Sequence, residues 1–164
     1  MNGVKTVLIG IYTVRTAMQQ IYHGGSINHQ ARHHMQPTDI YTALDDILNQ
    51  QQRPLEDVLD HHFSPHYRQR TNGHWDDRQA FVQHARKLRE VVASARIEVL
   101  DELRDGQHYA DRHRVHVTNR NGSRVVQEVY LFAEFDVEGR FVRIEETTLM
   151  LEGMESDRDM GSMK

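Results

Sequence analysis

Gly139-Arg140-Phe141-Val142-Arg143-Ile144-Glu145-Glu146-Thr147-Thr148 closes a stretch that runs from Ile97 to Leu151. Apolar residues recur in it at every second position, the period of a half-buried strand. Four strands are predicted, at about 95–104, 107–118, 123–137 and 140–151. Asp105-Gly106, Asn121-Gly122 and Glu138-Gly139 fall between them. Such pairs favour tight hairpin turns. The expected sheet is an antiparallel meander.

Upstream the period becomes helical. Ile40, Leu44, Ile47 and Leu48 form one stripe over about 39–52, with Thr38 or Asp39 able to cap it. Pro54 can open a short second helix with Leu55, Val58 and Leu59 inward. Phe63 to Arg70 reads as an irregular or short extended piece, and Asn72-Gly73 as a turn. Asp76 or Asp77 can cap a third helix whose stripe is Phe81, Val82, Ala85, Leu88, Val91 and Val92. Helices followed by a meander define an α+β domain.

The chain has 164 residues, enough for one core. Net charge is −4, which disfavours a sequence-independent nucleic-acid binder. Cysteine is absent, so no disulfide or thiolate zinc site exists. No run approaches the ~18 apolar residues that suggest a membrane span. The apolar run Val7 to Val14 is short, Arg15 closes it, and no clear cleavage site follows. A cytoplasmic protein, with neither nucleic acid nor membrane as partner, is expected.

Composition switches near residue 35. Every Asp and Glu lies at position 39 or later, while the preceding segment carries only Lys5, Arg15 and Arg32 as formal charges. Residues 1–34 are expected to be an extra N-terminal arm or an upstream extension ahead of Met35. The domain is expected over 35–152, with 153–164 as a flexible polar tail.

Strand alternation assigns faces. One side gathers Ile97, Val99 and Leu103, then Tyr109, Asp111, His113, Val115 and Val117, then Val125 to Phe135 at odd positions, then Val142, Ile144, Glu146, Thr148 and Met150. Asp111, His113, Gln127 and Glu146 are thus polar groups on an apolar inner face, the usual makeup of a ligand site. A carboxyl between Ile144 and Met150 would be desolvated, which suits acid–base work. Tyr130 and Phe132 point outward and would form an exposed apolar patch unless a second copy covers them.

The element order, the Phe63-Ser64-Pro65-His66-Tyr67-Arg68-Gln69-Arg70 segment and the 139–146 strand resemble the SnoaL-like branch of the nuclear transport factor 2 superfamily. The resemblance covers about 35–152. It implies three helices packed in a strongly curved antiparallel sheet of four to six strands, usually homodimeric through the sheet's outer face. It also implies a small-molecule pocket, with or without catalysis: isomerases, cyclases, dehydratases and hydrolases of this fold need no cofactor, and others are interaction or ligand-sensing modules. Counting five residues from Phe141, the position of the family's catalytic acid is Glu146. Asp111 and His113 are its expected helpers. Tyr67 and Gln69 match a segment whose side chains line the family's cavity, although Arg70 stands where His is common. Tyr109, Gln127, Ile144, Thr148 and, as anchor or lid, Trp75 complete the expected ligand-binding set.

Twelve histidines invite a metal reading. Only His61, His62 and His66 can approach one another, no His-Glu-x-x-His motif appears, and no metal site is expected. Arg112, Arg114, Arg120 and Arg124 form a basic cluster expected to pair with Glu128 and Glu134 rather than with phosphates.

Overall fold

The structure is a computed structural model that describes residues 36–154. The expectations for residues 1–34 and most of the tail lie outside that range. Two helices come first, α1 (Ile40–Leu48) and α2 (Leu55–His62). Next come strands β1 (Phe63–Thr71) and β2 (His74–Asp77), then helix α3 (Arg78–Val91). Strands β3 (Val92–Asp105), β4 (His108–Asn119), β5 (Arg124–Phe135) and β6 (Phe141–Glu152) complete the chain. The sheet order is β2-β1-β6-β5-β4-β3. The third helix therefore follows a hairpin instead of completing an initial helical block.

The helices start where the caps predict. The Asp39 carboxylate accepts from Thr42 N at 2.7 Å, and Asp77 accepts from Ala80 N at 2.9 Å. Each satisfies a backbone donor that the first turn leaves unpaired. The apolar stripes of α1 and α3 pack on the inner face of the sheet around Phe63, Tyr67, Phe135 and Phe141. Asn72 and Gly73, both at positive φ, turn β1 into β2.

Three features depart from the sequence reading. Residues 63–71 form a full strand, and it pairs with β6 in parallel. The sheet is therefore mixed; α3 and four other strands separate β1 from β6 in sequence. A bulge in β3 between Val99 and Asp101 shifts the alternation by one residue. Beyond it Glu102 and Arg104 stand opposite Asp111 and Tyr109, and Leu103, expected inward, is 73% exposed. A second bulge, where β6 leaves its register with Glu134 and Phe135, turns Phe141 inward. Phe141 is fully buried and stacks on Phe135 with ring centroids 5.0 Å apart.

On the outer face Arg114 and Arg112 reach Glu128 at 2.7 and 3.8 Å, and Arg143 pairs with Glu134. Arg120 instead ties the β4–β5 turn to the helices, donating to Gln51 Oε1 and to the Glu90 carbonyl. Among the described residues no helix is long and apolar enough to cross a membrane.

Candidate functional site

The inner face of the sheet and helices α1 and α3 line a partly open cavity of about 120 Å³. Its walls are mostly aliphatic and aromatic. Its polar groups include Gln69, His84, His113, Gln127, Glu146 and Thr148.

Parallel pairing of β1 with β6 sets Thr71 beside Glu146 and Gln69 beside Ile144. Thr71 Oγ1 and Gln69 Nε2 then donate to Glu146 Oε1, at 2.9 and 3.0 Å. Tyr67 O–H donates to Gln69 Oε1 at 2.7 Å, which fixes the amide and aims its N–H₂ at the carboxylate. Burial pushes the Glu146 pKa up. The Thr71 bond, the nearby His113 and the Gln69 bond oppose that rise only in part. Burial likewise holds the Tyr67 phenol well above its usual range, with the Glu146 charge adding to the effect. Tyr67 therefore stays a donor.

One row away on β4, His113 is buried to 2% exposure and its Nδ1 lies 3.1 Å from Asp111 Oδ1. A ring that donates Nδ1–H to that carboxylate turns Nε2 away from Asp111. Tyr109 O–H lies 3.1 Å from both Asp111 Oδ2 and Glu102 Oε2. The dyad thus has its own support behind the cavity wall.

Seven of the ten expected site residues line the cavity: Tyr67, Gln69, His113, Gln127, Ile144, Glu146 and Thr148. Asp111 and Tyr109 do not; Asp111 is buried beside His113 and is hydrogen-bonded to Tyr109. Trp75 is neither anchor nor lid. It sits on short β2, 47% exposed, with the Arg68 guanidinium 4.8 Å from its ring centroid. Of the three histidines weighed for metal, His62 is buried while His61 and His66 are exposed. Among the described residues no cluster of three or more His, Asp or Glu is placed to hold a metal ion.

The sequence reading missed His84 and Thr71. His84 was visible in principle: with Phe81, Ala85 and Leu88 it keeps the spacing of the α3 inner stripe. Thr71 was hidden because its place depends on a pairing between strands about seventy residues apart.

No protein-family model matches the chain. An uncharacterised protein of Schizosaccharomyces pombe is 32% identical over 101 residues, covering 62% of this chain and 77% of that protein. Among solved structures, a proposed isomerase from Rhodopseudomonas palustris superposes with a TM-score of 0.56 at 16% identity, covering 65% of this chain and 83% of the other. IdmH, a proposed polyketide cyclase from Streptomyces antibioticus, gives 0.52 at 13% identity, covering 67% and 87%. The architecture is that of the nuclear transport factor 2-like proteins. The chain belongs to one family with the fission yeast protein, and its fold is that of the SnoaL-like branch of the superfamily.

Proposed function

We propose that the domain binds a small, largely apolar organic molecule and moves a proton on it without a cofactor, with Glu146 and His113 as the acid–base groups. The observation that carries this reading is their convergence on one apolar cavity: a carboxyl with its pKa raised by burial, and an imidazole hydrogen-bonded to a buried carboxylate. A carboxylate with a raised pKa takes a proton more readily. Isomerisation, cyclisation, dehydration and hydrolytic opening all use such a transfer. Asp111 holds His113, while Gln69 and Thr71 aim Glu146. The reading includes a homodimer through the outer face around Tyr130 and Phe132, in the cytoplasm.

One observation favours the alternative, a non-catalytic ligand-sensing or interaction module. Two donors already satisfy Oε1 of Glu146, as they would for a structural carboxylate. Hydrogen exchange separates the two readings. Small ketones, epoxides and hydroxy acids are incubated with the protein in D₂O and followed by NMR. Exchange or turnover that Glu146→Gln abolishes supports catalysis. Ligand-induced shifts at the cavity residues with no chemistry support the module.

A further inference from the structure

Gln127 projects from β5 into the cavity, 9% exposed, and its Nε2 has no hydrogen-bond partner. An unsatisfied buried donor costs stability, because it gives up its bond to water for nothing. Its cross-strand partner on β4 is Val115, and the cavity lining also holds Val117, Leu88 and Val92, none of which offers a side-chain acceptor. A leucine would fill the same place without the penalty. The amide is explained if a ligand supplies the missing acceptor.

The register gives the distance. Gln127 pairs with Met150 and Leu131 with Glu146, so the two polar groups stand four residues apart along the sheet. At ~3.3 Å per residue their backbones are about 13 Å apart, and both side chains reach into the gap. His113 and Thr148 flank the intermediate row at Val129. An apolar cavity of roughly 150 Å³ holds a benzene molecule, and this one measures about 120 Å³.

We propose that Gln127 selects the ligand: a single-ring or short-chain carbonyl or ether compound whose oxygen accepts from Gln127 Nε2 while its other end lies against Glu146. The assignment of an acid–base role to that other end rests on the proposed function; the Gln127 contact does not. A hydrocarbon leaves the amide unpaired.

Cyclohexanone, methylenecyclohexane and cyclohexylamine serve as probes of matched shape carrying an acceptor, no polar group and a donor. Binding is followed by NMR on the full chain, including the side-chain amide resonances of Gln127. Cyclohexanone is expected to shift those resonances and to bind at least tenfold more tightly than the hydrocarbon, a difference of about 1.4 kcal/mol. In Gln127→Leu the preference disappears while thermal stability without ligand is kept or raised. Gln127→Met repeats the comparison should the leucine variant fold poorly. Equal binding of ketone and hydrocarbon by the natural chain overturns the proposal, as does preference for the amine or absence of any Gln127 shift with the ketone. The comparison reads binding alone on the natural chain and on Gln127→Leu, so a failure of the catalytic reading leaves this result distinct.

Discussion

The imidazole of His113 is held from behind: its Nδ1 lies 3.1 Å from Oδ1 of Asp111, two residues earlier on the same strand. Alternation puts both side chains on one face, and burial of both removes water as a competing partner. Asp111→Asn replaces the acceptor by a group that can present N–H to Nδ1, favouring the other tautomer. We expect the proton to move to Nε2, visible in long-range ¹H–¹⁵N spectra, and any turnover to fall by two orders of magnitude or more, since the base would then face away from the cavity. An unchanged tautomer would separate Asp111 from this role.

The β5–β6 turn is locked from the side of α1. Thr38 N donates to the Gly139 carbonyl at 2.9 Å, and a Cβ on Gly139 would lie 2.9 Å from Pro37 Cα, with φ at +79°. Contact and backbone both oppose a side chain there. Gly139→Ala should cost about 1–3 kcal/mol in urea unfolding. Gly122→Ala, where the space is open and only the positive φ resists, should cost less.

His62 links the same segment to α1. Its Nδ1 lies 2.6 Å from Thr38 Oγ1, and its Nε2 lies 2.9 Å from Asp46 Oδ2. Burial pulls its pKa down, and the Asp46 bond opposes this only in part; His61 and Arg53 add to the lowering. A histidine with a lowered folded pKa binds fewer protons folded than unfolded. Its stabilisation is present above about pH 6.5, the unfolded value, and is lost as pH falls through the folded pKa. Stability measured by denaturant between pH 7.5 and 5 should fall toward acid, and His62→Gln should flatten that slope.

Phe132 is 71% exposed and Tyr130 46% exposed on the outer face, where Leu103 is also open to solvent. Covering a large apolar side chain gains about 1.5–3 kcal/mol, which motivates the proposed homodimer. Replacing Tyr130 and Phe132 together by Ser should give monomers in light scattering. A dimer that persists would place the interface elsewhere.

Alternation made the inner face of β5 legible, since Val125, Gln127, Val129, Leu131, Ala133 and Phe135 are all buried, and it placed Glu146 and His113 on the cavity wall. It failed at the bulges. One extra residue in β3 sends Leu103 outward, and another in β6 brings Phe141 inward; a single sequence shows an insertion only when its partner strand is known. The strand β1 was obscured by its composition, Phe-Ser-Pro-His-Tyr-Arg-Gln-Arg-Thr, which holds Pro65 and mostly polar residues. Pairing with β6 overrides that weak local preference. Trp75 was misplaced for a related reason: β2 is four residues long and pairs only with β1, so its aromatic ring never meets the core.

Glu146 carries two effects that separate in experiment. Its carboxyl binds a proton more tightly folded than unfolded because burial disfavours the charge. Stability from this group is therefore full below about pH 4.3, the ordinary glutamate value, and declines as pH rises through the folded pKa. Glu146→Gln keeps the shape and an oxygen to accept from Thr71, and removes the charge. The variant should melt higher than the natural chain at pH 7, with the gap closing toward pH 4. Turnover of any substrate found by the exchange screen should drop on the order of a hundredfold or more, the usual yield of a positioned acid–base group. A gain in stability with no loss of turnover would assign Glu146 to the structure and leave proton transfer to His113. A loss of stability at neutral pH would mean that the carboxylate is charged and well solvated in the folded state, and the acid–base reading of this residue would fail.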